Sequence, residues 1–317
     1  MKKVFTMFMV AGFLSATAFI QAADAVDLKL NLKKGDVYRM RQTQEQTVSQ
    51  TAFGQTQDNS QTMIYDQKIE VVDVLADGNM KIKASTESIK VKLTNPQETV
   101  EFDSTNPTDQ ENPEFAGYKA IANSEFLMTL DPKGNVVNVE GIEAMMDSVM
   151  KEYENLPAEA KGGLEESFKK MFSDENMKQM LGNVGAIYPD KSVSIGDTWS
   201  DEVSLDVAVM SMDLKNTYTL KEQKDGRAII AVDSTISTKE PQVFNMGAMQ
   251  MKHTINSGTQ SGTVEVDETS GWIMRSQIDQ NMTGTIEMTI TDPSVPPEEQ
   301  TQSWPFTMTS KITVETY

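Results

Sequence analysis

His253 is the only histidine in the chain, and the chain contains no cysteine. Zinc sites made of histidine and cysteine, cysteine nucleophiles and disulfide frameworks are therefore excluded. A serine triad would have to use His253, which alternates with the apolar residues Met249, Met251 and Ile255. That period of two places the imidazole on the apolar face of a strand, where we predict a neutral histidine in the core.

Other catalytic signatures are weak or absent. A phosphate-binding glycine loop, a dinucleotide fingerprint and a His-Glu-x-x-His motif do not occur. Residues 258–262 resemble a nucleophile elbow, but the serine is one position out of place, and we expect this segment in a loop between strands. Acidic residues are numerous, yet no local pattern selects two of them for glycoside hydrolysis. We predict a non-catalytic protein without cofactor or metal, and a hydrolase with a carboxylate pair is an alternative.

Methionine is the unusual residue type, with 22 in the chain. Several lie at helical spacing between residues 142 and 153, and a second helical face follows between residues 164 and 172. Flexible, polarizable methionines adapt to varied apolar ligands, although ordinary core packing is the alternative explanation. The candidate ligand contacts are Met145, Met146, Met150, Phe168, Met171 and His253.

Most of the remaining chain alternates apolar and polar residues with a period of two, which predicts strands with one buried face. Residues 28–32, 80–84 and 89–93 show the pattern clearly. Residues 42–62 are rich in Gln, Thr and Ser, and we predict a solvated antiparallel hairpin there. The fold class is therefore mainly β (α+β): a large curved antiparallel sheet of long strands, with a helical insert packed on one face.

Two runs of strands open with the same turn chemistry. Gly-Asp-Val-Tyr begins the first run and Gly-Asp-Thr-Trp the second, and each run later contains an Asp-Gly turn and an Asp-initiated turn that closes on Gly. This order indicates two related meanders, while independent use of common turns is the alternative. The predicted structural turn residues are Gly35, Asp36, Gly196, Asp197 and Gly271.

These patterns divide the chain into four segments, the two meanders forming one continuous domain. The segments are a signal peptide (1–25), a first antiparallel meander (26–140), a helical insert (141–186) and a second antiparallel meander (187–317). Residues 96–116 hold three prolines and six carboxylates without lysine or arginine, which favours a surface loop. A change of alternation near Ala208 predicts a β-bulge or a segment buried on both faces.

The first residues predict export. Lys2 and Lys3 precede an apolar run over residues 4–20, and small residues follow, with cleavage expected after Ala22 or Ala25. No cysteine is available for acylation, so we expect a periplasmic or secreted protein without a membrane span after cleavage. The net charge of −19 and the lack of a basic block argue against nucleic acid and anionic membranes as partners. An apolar small molecule or an envelope protein is the expected partner.

Three segments carry a resemblance to a known family. Residues 33–38, residues 188–199 and residues 267–272 together resemble a bacterial family of exported proteins of unknown function, which implies no activity or site residue. In outline the predicted sheet with a helical lid is also similar to periplasmic lipoprotein-carrier half-barrels, without any shared motif. We expect a lipid or other apolar ligand on a concave sheet face; a structural surface protein without a small ligand is an alternative.

Overall fold

The computed structural model describes residues 25–52, 55–111, 115–122, 124–152, 154, 162, 165, 187–207, 210–239, 243–246, 249–291, 295–296 and 300–317. Within these ranges lie thirteen β-strands and three α-helices. The strands are β1 (Val37–Ala52), β2 (Gln55–Val74), β3 (Met80–Thr94), β4 (Thr99–Asp103), β5 (Glu125–Leu130), β6 (Val136–Glu140), β7 (Thr198–Val207), β8 (Met210–Lys224), β9 (Arg227–Thr238), β10 (Val243–Met246), β11 (Met249–Asp267), β12 (Ile273–Ile290) and β13 (Thr301–Thr316). The helices are α1 (Pro107–Glu111), α2 (Ala116–Ala122) and α3 (Ile142–Glu152).

All thirteen strands belong to one open, curved antiparallel sheet, which confirms the predicted fold class. Its strand order is β6-β5-β3-β2-β1-β13-β12-β11-β9-β8-β7, with β4 paired to β3 and β10 paired to β11. The two runs of strands join where β1 pairs with β13 over eleven residue pairs, from Met40–Thr316 to Gln50–Phe306. The hairpin predicted over residues 42–62 is formed by β1 and β2.

The turns β2–β3, β5–β6, β8–β9 and β11–β12 lie at one end of the sheet, here called the closed end. The segment before β1 runs across this end. Its backbone donates hydrogen bonds from Val26 to Val193 beside β7, and from Leu30 to Pro132 in the β5–β6 turn, both at 2.8 Å. Because β6 and β7 are opposite ends of the strand order, this segment ties the two edges of the sheet together.

The main core fills the closed end. Leu28, Leu30 and Leu32 are 2–4% exposed and pack against apolar residues from the strands of both runs. Tyr188 is also buried there, and its hydroxyl donates to the carbonyl of Gly271 at 2.5 Å. The N-terminal segment was predicted as a strand. Among the described residues it forms one isolated β-bridge, from Val26 to Val193, and its three leucines fill the main core.

The two Gly-Asp turns have the same hydrogen bonds. The N–H of Gly35 donates to the carbonyl of Val71, and the N–H of Gly196 donates to the carbonyl of Leu220, both at 2.8 Å. In each motif the aspartate carboxylate accepts a 2.8 Å bond from the backbone N–H three residues earlier. Both glycines have φ above +90°, which explains why glycine is required. β1 and β7 thus enter the sheet by the same local structure.

Helix α3 confirms the helical period that begins at Ile142. Ile142 is buried with Val139 of β6, and Met146 packs against this pair. The helical faces predicted beyond residue 153 lie outside the described residues, apart from the isolated positions 162 and 165.

Two local predictions were wrong. Residues 96–116 are not only a loop, since β4, α1 and the start of α2 lie there and bury Phe102 and Phe115. Residues 258–262 lie inside β11, not between strands. The prediction at Ala208 lies outside the described residues; β7 ends before it, β8 begins after it, and Val207 pairs with Met210.

Gly271→Ala tests how closely the N-terminal segment packs. A methyl group at Gly271 would lie 2.0 Å from the carbonyl oxygen of Lys29, whereas Gly226, which also has positive φ, has no atom within 4 Å. We expect Gly226→Ala to cost about 1–2 kcal/mol of unfolding free energy from the backbone alone. Gly271→Ala should cost at least about 2 kcal/mol more, because the segment must move. Urea denaturation gives both values, and equal losses would contradict the packing described.

Candidate ligand-binding face

A second apolar cluster lies on the face of the sheet that carries the main core, here called the inner face. It lies toward the end of the sheet opposite the closed end, here called the open end. We call it the distal cluster. Its buried members are Ile236, Ile255, Met282, Ile286, Phe306 and Met308. Its partly buried members are Val48, Met212, Leu214, Met251 and Trp304. Because these residues come from β1, β8, β9, β11, β12 and β13, the cluster spans the central and β8-side strands of the sheet.

A row of polar residues separates the distal cluster from the main core. Directly paired residues of antiparallel strands project to the same face, so the strand registers place eight polar side chains in one line. We call this line the polar belt. From β2 to β7 its members are Gln61, Gln46, Ser310, Gln280, Gln260, Ser234, Asn216 and Asp201.

The burial pattern places the polar belt on the inner face. Every belt residue is buried or half-buried, while its neighbours along the chain in β8, β9 and β13, such as Thr217, Thr235 and Thr309, are exposed. Two residues farther along the same strands lie Leu214, Ile236 and Met308 of the distal cluster. Two residues in the other direction lie Tyr218, Val232 and Ile312 of the main core or packed on it. Along β8, β9 and β13 the belt is therefore a polar stripe between two apolar surfaces.

Three belt side chains are deeply buried, and each has one polar atom without a hydrogen-bond partner. Asn216, Ser234 and Ser310 are 7%, 6% and 5% exposed. The Oδ1 atom of Asn216 and the Oγ atoms of both serines are inaccessible and accept or donate no hydrogen bond. A buried polar group in this condition lowers stability by about 1–3 kcal/mol. The belt therefore holds unused hydrogen-bonding capacity on the inner face.

The surroundings of the belt disfavour negatively charged groups. Burial raises the pKa of the Asp201 carboxyl above its ordinary value, against the effect of a hydrogen bond involving the Glu202 backbone. Burial also raises the pKa of the Tyr218 hydroxyl beside the belt, and the charge of Asp201 adds to this. No belt residue is a lysine or arginine. The belt thus offers amides and hydroxyls, with one carboxyl at its β7 end.

A pocket of about 300 Å³ lies at the middle of the sheet, where β1, β2, β12 and β13 run side by side. The belt residues Gln46, Gln61, Gln280 and Ser310 contribute to its lining. Their neighbours along the four strands complete it, including Glu45, Asp279 and Lys311. The pocket is entirely lined by polar or charged residues, and the apolar surfaces lie on either side of the belt.

The predicted ligand contacts do not form one site among the described residues. Met146 packs on β6 with α3, and Met150 is half-buried on the same helix. Met145 has a described backbone only within α3, and Phe168 and Met171 lie outside the described residues. The methionines that share one face are those of the distal cluster on the strands. Sequence periodicity pointed to the helix because its spacing is regular, whereas sheet neighbours are far apart in the chain.

His253 lies on β11, on the inner face, as its alternation predicts. It pairs with Ile286 of β12, and Ile255 and Met251 beside it belong to the distal cluster. Its Nδ1 atom is buried without a hydrogen-bond partner, and burial lowers the pKa of the imidazole. The side chain is therefore neutral at pH 7 and borders the distal cluster rather than the methionines of α3.

Among the described residues, no group of three His, Asp or Glu side chains is arranged to hold a metal ion. In the same part of the chain, no helix has the length and apolar character needed to cross a membrane.

The sequence model of a family of unknown function (DUF6263) matches residues 77–273, more than half of the chain. The chain belongs to this family. The DUF6263 segment runs from the β2–β3 turn to the start of β12 and includes the belt residues of β7, β8, β9 and β11. The resemblance to a family of unknown function is thereby confirmed. None of the curated proteins matches the chain.

Three solved structures show weak likeness to this DUF6263 protein. A structure concerned with lipid–protein interactions in lipovitellin is 9% identical, with a TM-score of 0.44 over 90% of this chain. The match spans 25% of the lipovitellin chain. The translocator domain of the autotransporter NalP from Neisseria meningitidis is 6% identical, covering 90% of this chain and 89% of its own, with a TM-score of 0.22. An outer membrane channel from Pseudomonas putida F1 is 8% identical, covering 91% and 97%, also at 0.22. Likenesses this weak carry no argument about function.

Asp201→Asn tests the burial of the belt. Since the pKa of Asp201 is raised in the folded state, the native protein binds this proton more strongly than the unfolded chain. Stability from this site is therefore highest in acid and falls as the pH rises above the ordinary aspartate value of about 3.9. The variant should be more stable than wild type at pH 7, with the gain shrinking toward pH 4 in urea denaturation.

The matched control is Asp233→Asn, because Asp233 is exposed on the outer face of β9. Because water solvates the exposed Asp233 side chain, this variant should not be more stable than wild type at pH 7. A pH-independent difference between Asp201→Asn and wild type would contradict a buried Asp201.

Proposed function

We propose that the protein is an exported, non-catalytic binding protein whose distal cluster holds an apolar ligand. The observation that supports this most strongly is the distal cluster itself. It is a second apolar surface, separated from the main core by the polar belt, and five of its members are only partly buried. A sheet that needed apolar contacts for folding alone would extend its main core without a polar interruption.

The composition of the distal cluster supports a ligand of variable shape. Four of its members are methionines: Met212, Met251, Met282 and Met308. Methionine is flexible and polarizable, so it adapts to different apolar partners. At the rim of the open end, Met249 pairs with Ile290 on the inner face and is 40% exposed. Such a rim extends the apolar surface toward solvent, as an entry route for a ligand requires.

Export is part of the same proposal. The signal peptide pattern of residues 1–25 supports secretion, and intact-mass measurement of protein from an envelope fraction tests it. We expect the mass of a chain that begins after Ala22 or Ala25. A mass that includes the first 22 residues in mature, envelope-located protein would contradict cleavage.

The direct test is mass spectrometry of an organic extract of the protein purified from an envelope fraction. We expect a lipid or other apolar molecule at close to one per chain. A clean extract from protein that also binds no hydrophobic dye would overturn the proposal.

Leu214→Glu locates the binding surface. Leu214 is partly buried in the distal cluster, while Thr217 lies on the same strand with its side chain exposed on the other face. A carboxylate in an apolar site costs several kcal/mol, so dye affinity should fall at least about tenfold in Leu214→Glu. Thr217→Glu introduces the same charge and should bind like wild type. Circular dichroism and urea denaturation confirm folding, and equal dye binding by two folded variants would contradict the location.

A further inference from the structure

The polar belt borders the distal cluster on the inner face of the sheet. We propose that the belt binds the uncharged, hydrogen-bonding head group of an amphiphile whose hydrocarbon chain lies on the distal cluster. This inference rests on the proposed function and narrows it to one chemical class: chains joined to hydroxyl, ester or amide groups, as in an acylglycerol.

The first reason is the unused hydrogen-bonding capacity. Asn216 presents a buried acceptor without a donor, and Ser234 and Ser310 present buried hydroxyls without partners. Native proteins satisfy most buried polar atoms, and exceptions point to a missing group. Asn216 and Ser234 are paired on neighbouring strands, so one head group with a hydroxyl donor and a carbonyl or ether acceptor would satisfy both, whereas Ser310 lies three strands from Ser234.

The second reason is the position of these atoms. Asn216, Ser234 and Ser310 each lie two residues from a distal-cluster residue of the same strand, on the same face. Two residues along a strand span about 7 Å. A head group bonded at Asn216 and Ser234 therefore places its chain directly over Leu214 and Ile236. Polar and apolar contacts are contiguous, as an amphiphile requires.

The third reason is charge. The belt contains no cation to pair with a carboxylate or phosphate, and the protein carries a net charge of −19. An anionic head group would be buried without a counter-ion, which is strongly unfavourable. The only belt carboxyl, Asp201, lies at the β7 end, five strands from Ser310, so most of the belt offers no carboxylate to a cationic head group either. A neutral head group avoids both costs.

Four amphiphiles with the same tetradecyl-length chain test the head-group preference. They are monomyristoylglycerol, myristate, tetradecyl phosphate and tetradecyltrimethylammonium, each measured by dye displacement at pH 7.5 below its micelle concentration. We expect monomyristoylglycerol to bind at least about tenfold more tightly than each charged analogue, which corresponds to a single well-made polar interaction. Equal affinities, or tightest binding of a charged analogue, would overturn the inference.

The double variant Ser234→Ala plus Ser310→Ala tests the atoms themselves. Removing two unpartnered buried hydroxyls should leave the free protein as stable as wild type or more stable. Its affinity for monomyristoylglycerol should nevertheless fall about tenfold, with little change for myristate. The matched control is Thr235→Ala plus Thr307→Ala, which removes exposed hydroxyls from the outer face of the same strands. Wild-type affinity in the serine variant would overturn the role of the belt.

The outcomes separate this inference from the function on which it rests. If all four amphiphiles bind with similar affinity, the distal cluster is a binding surface but the belt does not discriminate between head groups. If none binds and the organic extract is clean, the proposed function fails as well.

Discussion

The closed end depends on three leucines that precede the first strand. Leu28, Leu30 and Leu32 are almost fully buried, and the backbone between residues 26 and 31 bonds to segments beside β7, β5 and β12. Burying three leucines is worth about 5–9 kcal/mol before entropy is counted. Because this segment joins both edges of an open sheet, curvature at the closed end follows from its packing. The distal half of the inner face is then not needed to hold the edges together.

Because the closed end holds the two edges together, the distal half of the inner face can contain buried polar residues that lower the stability of the free protein. The main core near the turns is continuous and contains the most deeply buried residues, whereas the inner face beyond it is interrupted by amides and hydroxyls. Leaving Asn216, Ser234 and Ser310 unsatisfied costs free energy in the free protein. A ligand that supplies the missing partners recovers this energy on binding, so the same atoms reduce stability and increase affinity.

Local patterns in the sequence predicted much of the fold but little of the site. Period-two alternation and the Gly-Asp turns foretold the sheet, the first hairpin and the position of His253 on an apolar face. Strand β4 was not predicted, because its acidic residues suggested a loop. In the structure Glu101 and Asp103 form ion pairs with Lys92 and Lys90 of β3. The belt could not be predicted, because its members are up to 264 positions apart, from Gln46 to Ser310, and only strand register aligns them.

Methyl NMR of the methionines tests the central claim most directly, because one label reports on both apolar surfaces and on α3. The distal cluster contains Met212, Met251, Met282 and Met308, the main core contains Met80, and α3 carries Met146. On addition of monomyristoylglycerol, the four distal methyl signals should shift, while those of Met80 and Met146 stay in place. Shifts confined to Met146, or no shift at any distal methionine, would contradict a ligand on the distal cluster.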